Sequence, residues 1–360
     1  MERKNYIDNI RWITVLLVIV YHVIYMFNSV GVISNFAVQG IAQLDVVLSF
    51  VYPWFMALLF VVAGMSAKYS LQKRSGKVFA KDRAKRLLVP SIAGVFLLGW
   101  IAGSITNYYS DMFMGNGDQI PGLLKYFIYC ACGIGPLWFA QELFLACMVL
   151  LLIRAIDRKD VLGKWGQKTS WLALVLLVLP FWGSSLILNT PVIEVFRNGF
   201  YFFSFLLGYY VFSNEEVIEK LSKIKVWLLV AACVCGVAYA AYYYGENYTT
   251  MAVLKHPFTN VYAYLMILAI LACGKDWLNF ETKLSRYLTK ANFGFYVLHY
   301  PLLSAIAFVT VEIIQLPMAV CYLVNLVLVF LLLPLVYEVI RRIPVIRFLL
   351  LGIEKKKIEK

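Results

Sequence analysis

The sequence has few charged residues, few histidines and no long hydrophilic stretch. Only 15% of its 360 residues are Asp, Glu, Lys or Arg, three are histidine, and 62% are hydrophobic. A soluble fold cannot bury that much apolar surface, and the alternating polar pattern of membrane-spanning β-strands is missing. The composition therefore predicts an all-α fold, a polytopic bundle of transmembrane helices.

Cysteine spacing excludes several other classes of protein. The seven cysteines include no CxxC pair and no spacing typical of metal ligands, so we predict neither a disulfide framework nor a metal site. The first hydrophobic run continues to Asn28 without a small-residue cleavage pattern, so no cleaved signal peptide is expected.

About ten hydrophobic segments are long enough to span a membrane. They are residues 8–28, 46–68, 87–106, 136–154, 170–189, 194–213, 226–245, 257–274, 291–313 and 316–340. Lys and Arg concentrate in alternate connections and at the two ends, whereas the other side holds only Lys125, Arg197 and Lys255. This positive-inside pattern predicts that both termini are cytoplasmic. The net charge of +13 is then mainly topological, so we expect a lipid bilayer and no nucleic acid as partner.

The chain is predicted to form one membrane domain, residues 1–342, followed by a basic cytoplasmic tail, residues 343–360. Within the tail, residues 344–353 resemble an interfacial helix ahead of a lysine cluster. The longest external connection, residues 107–135, contains an apolar stretch at 123–132 that is too short to span. We expect that stretch to lie at the membrane interface or to re-enter the bundle.

Two ionisable residues lie in the first hydrophobic segment, Arg11 at its start and His22 in its interior. Eleven residues at about 100° each complete roughly three turns, so both side chains share one helix face, about 16 Å apart along the axis. Ionisable groups in hydrocarbon are costly and tend to mark function. An imidazole suits general acid–base chemistry, although a hydrogen bond between helices would also explain His22.

Three more polar residues are candidates. Glu142 lies about 9 Å from the outer end of the fourth segment, a depth similar to that of His22, and a carboxylate can orient a histidine. His299 lies inside the ninth segment, and His256 opens the eighth beside Pro257. A structural hydrogen bond is the alternative explanation for each.

Arg83 and Arg86 share a helix face just ahead of the third segment. Two guanidinium groups on one face suit the phosphates of a nucleotide. Basic residues are also expected on the cytoplasmic side for topology alone, so the two explanations compete at this point.

Five stretches together resemble the acyltransferase-3 family of integral membrane acyltransferases. They are Arg11-x10-His22, Leu59-Phe60-Val61-Val62-Ala63-Gly64, Arg83-x-x-Arg86, Gly135-Pro136-Leu137-Trp138-Phe139 and Tyr296-x-x-His299-x-Pro301. The resemblance runs from about residue 6 to 340. Ala63 replaces the serine usual in the family, and the pattern around Glu142 departs from the usual one, so a role carries over more directly to His22 than to Glu142.

The resemblance implies an enzyme of the bacterial cytoplasmic membrane that moves an acyl group, most often acetyl, from cytoplasmic acyl-CoA to a hydroxyl of an extracytoplasmic or lipid-linked glycan. Acyl-CoA is then a donor substrate, and no bound cofactor is expected. The implied catalytic residues are His22, as a base or transient acyl carrier, and Glu142, which orients it or binds the acceptor. The implied donor-binding residues are Arg11, Arg83, Arg86, Tyr296 and His299.

Other interpretations remain open. An intramembrane set of His, Arg and Glu side chains also suits a proton-coupled transporter or exporter. The acceptor is not specified: peptidoglycan, capsule, teichoic acid, lipid-linked sugar, periplasmic glucan and small molecules all fit. Some family members carry an extracytoplasmic hydrolase-like domain, so an extracytoplasmic partner transferase also fits the resemblance.

Overall fold

The computed structural model describes residues 4–190 and 196–354. Within those two ranges the regular secondary structure is helical and no strand is present, only an isolated β-bridge between Asn189 and Arg197. The helices are α1 (Asn5–Tyr25), α2 (Asp45–Leu71), α3 (Gly76–Arg83), α4 (Val89–Ser110), α5 (Gly122–Cys132), α6 (Trp138–Ile156), α7 (Val161–Gln167), α8 (Trp171–Leu176), α9 (Val178–Ser184), α10 (Asn198–Leu207), α11 (Glu215–Lys223), α12 (Lys225–Tyr242), α13 (Met251–Lys255), α14 (Pro257–Trp277), α15 (Lys283–Phe308), α16 (Met318–Ile340) and α17 (Pro344–Leu351). The predicted all-α polytopic fold is confirmed.

Eight helical runs in the described part of the chain are long and apolar enough to cross a membrane. They are Asn5–Tyr25, Ala42–Leu71, Gly76–Ser110, Gly135–Ile156, Lys225–Tyr242, Pro257–Trp277, Lys283–Ile313 and Met318–Ile340. Two of the ten expected segments form shorter helices. Segment 170–189 becomes α8 and α9, which together end at Ser184. Segment 194–213 begins outside the described residues and continues as α10 and a π-helical turn, Gly208–Phe212.

The chain packs as two compact units. The first comprises Met1–Thr14, Val46–Lys81 and Glu142–Thr289. In this unit α2 packs closely against α10 and the π-helical turn that follows it: a Cβ on Gly64 would collide with the carbonyl oxygen of Phe205, and one on Gly208 with that of Val61. Small residues permit such close helix packing in a membrane. Gly64, the last residue of the motif at residues 59–64, is therefore required for close helix packing.

The second unit comprises Val15–Asp45, Asp82–Gln141 and Lys290–Lys360. Its apolar stretch at 123–132 forms α5, which packs against α4. Gly99 and Gly103 of α4 face the backbone of α5 so closely that a Cβ on Gly103 would collide with the carbonyl group of Tyr129. The opposite side of α5 leaves Leu123 and Leu124 exposed. The segment is thus a short helix held on a longer one, and its position in the membrane stays a prediction.

Helices α4 and α15 lie side by side in the second unit and run in the same direction. A Cβ on Gly94 would lie 3.7 Å from the Val297 side chain. Further along both helices, the rings of Tyr108 and Phe308 are 5.2 Å apart between centroids. This pairing fixes which turn of α4 lies level with each residue of α15.

The tail helix α17 falls within the stretch expected to be helical, 344–353. It ends at Leu351 and is capped by Gly352, whose φ of +63° is in the left-handed region; a Cβ on Gly352 would lie 2.8 Å from the Cα atom of Arg86. The tail therefore packs against the segment that carries Arg86. Its lysine cluster at 355–357 lies outside the described residues, and the domain boundary at 342 and the interfacial location of α17 stay predictions.

Candidate active site

Two histidines meet in the second unit, His22 of α1 and His299 of α15. The Nε2 atom of His299 is 3.2 Å from the Nδ1 atom of His22. His299 is fully buried, whereas His22 is partly exposed. His22 is therefore the more accessible residue of the pair.

Backbone carbonyls determine where the protons of the two rings lie. The Nδ1 atom of His299 is 2.7 Å from the carbonyl oxygen of Tyr296 and 3.2 Å from that of Phe295. The Nδ1 atom of His22 is 2.8 Å from the carbonyl oxygen of Val18. Because a carbonyl only accepts, each Nδ1 is assigned the proton, and the Nε2 atom of His299 accepts from His22.

This assignment leaves one nitrogen of the pair available for chemistry. Among the described residues, every side-chain hydrogen bond of His22 is made through its Nδ1 atom. Its Nε2 atom therefore carries a lone pair and has no partner within the described part of the chain, which is the form that takes a proton from a hydroxyl group or attacks an acyl carbon.

Aromatic side chains and one buried asparagine hold the His22 ring in place. Tyr300 contacts it edge-to-face, with ring centroids 5.1 Å apart. The Tyr300 hydroxyl donates to the side-chain oxygen of Asn35. The Asn35 amide nitrogen donates in turn to the carbonyl oxygen of Ala102, at 3.0 Å, and to the hydroxyl of Thr106, at 2.6 Å. The wall beside His22 is thus anchored on α4.

Tyr296, expected to line the donor path, is buried and uses its hydroxyl inside the protein. That hydroxyl donates to the carbonyl oxygen of Pro136. Its ring lies edge-to-face against Phe139, with centroids 5.3 Å apart. The structure thus joins the late Tyr-x-x-His stretch to the Leu-Trp-Phe stretch, and a role of Tyr296 in donor binding stays a prediction.

Arg83 and Arg86 surround one carboxylate. The Nε atom of Arg86 donates to Oδ1 of Asp82 at 2.9 Å, and a terminal nitrogen of Arg83 lies 3.8 Å from Oδ2. A π-helical turn, Ala84–Leu88, follows directly and joins α3 to α4. Such turns occur frequently at functional sites. Both arginines thus approach the carboxylate of Asp82, and their role in binding donor phosphates stays a prediction.

The register of α4 and α15 gives the distance along the helices between Arg86 and the histidine pair within the second unit. Val297 lies beside Gly94, and His299 is two residues further along α15. The level of His299 is therefore about ten residues beyond Arg86 along α4, a rise of roughly 15 Å.

Arg11 belongs to the first unit, although it shares the continuous helix α1 with His22. Its guanidinium group donates to Asp8, at 2.9 Å, and to the hydroxyl of Ser66. The helix spacing predicted for Arg11 and His22 is confirmed, since α1 is unbroken between them. A role of Arg11 in guiding the donor stays a prediction.

Glu142 also belongs to the first unit, where it is only 1% exposed. With the Asn198 amide oriented so that its nitrogen faces the carboxylate, that nitrogen donates to both Glu142 oxygens, at 2.7 Å to Oε2. The sequence gives no signal for Asn198, because a single asparagine beside a loop is part of no recognisable pattern.

Arg197, considered above only as a loop charge, is a second buried ionisable residue of the first unit. It is 2% exposed, donates to the carbonyl oxygen of Leu254 at 3.2 Å, and lies over the Phe200 ring at 4.2 Å from its centroid. A buried arginine stacked on an aromatic ring is an energetically significant contact. The sequence offered one signal for it, its isolation from the other basic residues.

Comparisons with known proteins agree with the motifs. The acyltransferase-3 family model, described as an acyltransferase domain, matches residues 4–339. Glucans biosynthesis protein C of Escherichia coli strain SMS-3-5 is 25% identical over 372 residues, covering 98% of this chain and 95% of that protein. The protein of the same name from strain K12 gives the same identity and coverage. No solved structure matches significantly. With nearly its whole length matched and multiple membrane-spanning helices, the chain belongs to the acyltransferase-3 family and is a multi-pass membrane acyltransferase.

Proposed function

We propose that this acyltransferase moves an acetyl group from cytoplasmic acetyl-CoA to a hydroxyl group of a glucan or related glycan that is extracytoplasmic or lipid-linked. One observation carries the proposal: His22 is partly exposed, and its Nε2 atom is the nitrogen that has no partner among residues 4–190 and 196–354. The family supplies the reaction class. The printed name of the Escherichia coli relatives, glucans biosynthesis protein C, favours a glucan acceptor.

Arg83 and Arg86 hold the phosphates of the donor. Both guanidinium groups already gather around one carboxylate, that of Asp82, which supports the binding of an anion at this position. An extended pantetheine arm is comparable in length to the rise of roughly 15 Å between Arg86 and the level of His299. A donor bound by its phosphates at the arginines therefore presents its thioester near His22.

The chemistry at His22 is a direct transfer. The Nε2 atom accepts the proton of the acceptor hydroxyl as the hydroxyl oxygen attacks the thioester carbonyl carbon. The carbon–sulfur bond then breaks, and the CoA thiolate takes the proton from Nε2, which restores the neutral imidazole. The products are an ester of the glycan and free CoA. The positive-inside charge pattern supports a cytoplasmic donor and an acceptor that arrives from the opposite side.

The remaining predicted residues take supporting roles in this proposal. Arg11 guides the pantetheine arm, and Glu142 contributes to acceptor binding in the first unit. An extracytoplasmic transferase is a compatible partner that passes the acetyl group onward.

The test uses the purified full-length protein in lipid nanodiscs with isotope-labelled acetyl-CoA and glucan oligosaccharides, and measures acetylated sugar and free CoA by mass spectrometry. We expect transfer by the wild-type protein and a fall in rate of about 10²-fold or more for His22→Ala. His256→Asn is the matched control, because the His256 side chain caps α14 by accepting from the Phe258 amide, and its ring packs on Tyr242 and Tyr243 in the first unit. It should stay within about threefold of wild type, since asparagine is also a good cap. His22→Ala that transfers acetyl at the wild-type rate would overturn the proposal.

A further inference from the structure

We infer that His299 is a positioning residue for His22: it holds the His22 ring through the Nδ1 proton and stabilises the charged imidazolium formed during transfer. The inference rests on the proposed function, because it requires His22 to be the base. It assigns His299 a different task from donor binding, the role suggested by the sequence resemblance.

Burial excludes His299 from contact with the substrate. Its side chain is fully enclosed, and both of its ring nitrogens are occupied, Nδ1 by the carbonyl oxygens of Phe295 and Tyr296 and Nε2 by His22. A side chain in this state can influence the reaction only through the atoms that it touches. Among the described residues, His22 is the one side chain that is hydrogen-bonded to its ring nitrogens; the rings of Tyr296 and Tyr300 only pack beside it.

The anchoring carbonyls give His299 a fixed direction. With the Nδ1 proton held by Tyr296 at 2.7 Å, the lone pair of Nε2 points at the Nδ1 atom of His22. The other acceptor of that His22 proton, the Val18 carbonyl, lies one turn earlier on α1 itself. His299 therefore supplies the contact that ties the catalytic ring to a second helix, α15.

The contact matters most when His22 becomes charged. Taking a proton at Nε2 turns His22 into an imidazolium within a membrane-spanning helix, where a charge is costly without a hydrogen-bond partner. Hydrogen bonds to charged groups are worth about 1.5–3 kcal/mol, more than those between neutral groups. The acceptor on His299 thus stabilises the transition state more than the resting state, and its loss should lower kcat rather than weaken donor binding.

The experiment compares His299→Leu with His299→Gln in the acetyl-transfer assay. Glutamine reaches as far as Nε2 and can accept the Nδ1 proton of His22, whereas leucine fills similar space and cannot. We expect His299→Leu to lower kcat about 10²-fold, with the KM for acetyl-CoA within about threefold of wild type. The kcat of His299→Gln should be at least about tenfold higher than that of His299→Leu. Equal loss in both variants, or a change in KM alone, would overturn the inference.

A double variant separates this inference from the proposed function and from a folding defect. If His299 acts through His22, His22→Ala combined with His299→Leu should be no slower than His22→Ala alone. If the rate losses of the two single variants multiply in the double variant, the inference is wrong, and His22 still acts as the base. An active His22→Ala protein would instead overturn the proposed function. Thermal melting and size-exclusion profiles of each variant show whether it is folded, and His299→Gln keeps the test decisive if leucine is not tolerated.

Discussion

The carboxylate of Asp82 accepts a 2.9 Å hydrogen bond from the Nε atom of Arg86, one turn further along the helix. The same carboxylate has Arg83 on its other oxygen, at 3.8 Å. The side chain of Arg86 is nevertheless 63% exposed, so its terminal nitrogens remain accessible. The site that we assign to the donor phosphates is thus arranged around an anion before any ligand arrives.

Removing the two guanidinium groups should weaken donor binding without preventing folding. For Arg83→Ala combined with Arg86→Ala we expect acetyl-CoA affinity to fall at least about 10-fold, because each lost charged hydrogen bond is worth about 1.5–3 kcal/mol. Isothermal titration calorimetry of the protein in nanodiscs measures the change. Lys81→Ala is the control for general positive charge, since Lys81 is an exposed residue of α3, the short helix that also carries Arg83. Equal losses in the control and the double variant would reject a specific phosphate site.

Neutralising the resident carboxylate should have the opposite effect. Asp82 competes with the donor phosphates for the same guanidinium groups, so Asp82→Asn should tighten acetyl-CoA binding by about 2- to 10-fold, equivalent to roughly 0.4–1.4 kcal/mol. The same titration measures it, at two salt concentrations, because the gain is electrostatic and should shrink in high salt. Weaker binding by Asp82→Asn would mean that the carboxylate orients the arginines and does not compete with the ligand.

The tail helix should influence the arginine site through a single glycine. An alanine at position 352 would be strained by its positive φ, at a cost of about 1–2 kcal/mol, and its Cβ would lie 2.8 Å from both the Cα atom of Arg86 and the carbonyl oxygen of Lys85. We therefore expect Gly352→Ala to lower the melting temperature and to weaken acetyl-CoA binding. Gly115→Ala is a matched control: its φ is +77°, yet nothing lies within 4 Å of the added atom. If both variants leave donor affinity unchanged, the tail does not position Arg86.

Local spacing made part of the site predictable. Arg11 and His22 share α1, and Arg83 and Arg86 share one carboxylate, because helix geometry fixes the relation of residues a few turns apart. The contact between His22 and His299 could not be predicted from the sequence, because it depends on how α15 packs against α1. The two residues are 277 positions apart in the chain. The sequence showed that two histidines lie in membrane-spanning segments, where an ionisable side chain is energetically costly. It did not show that the two side chains contact each other.

Burial of a residue in a loop or at a helix end was equally hard to foresee. Arg197 was taken as a topological charge, because hydropathy does not distinguish an arginine stacked on Phe200 from one in solvent. Segment 170–189 was taken as a span on hydropathy alone, but α9 ends at Ser184, five residues early. Composition fixed the class of the fold well, whereas helix ends and long-range partners followed from tertiary packing.

Glu142 and Asn198 form a buried pair whose energetics are testable. Asn198→Leu removes the amide that donates to both carboxylate oxygens and leaves a 1%-exposed carboxylate without that donor. A buried polar group left unsatisfied costs about 1–3 kcal/mol or more, so the melting temperature of this variant should fall clearly. Replacing both partners, Glu142→Leu with Asn198→Leu, should recover much of the loss, because two apolar groups of similar shape leave nothing unpaired.

The same double variant separates a structural from a functional role of Glu142. If the carboxylate helps to bind the acceptor, the double variant should melt near the wild-type temperature and bind acetyl-CoA normally, yet transfer acetyl to glucan oligosaccharides at least about 10-fold more slowly, the cost of one lost charged hydrogen bond. Acetyl transfer at the wild-type rate by the double variant would show that the pair only joins helices α6 and α10. If the double variant lowers the melting temperature by as much as the two single variants' decreases added together, the carboxylate and the amide are not each other's main partners.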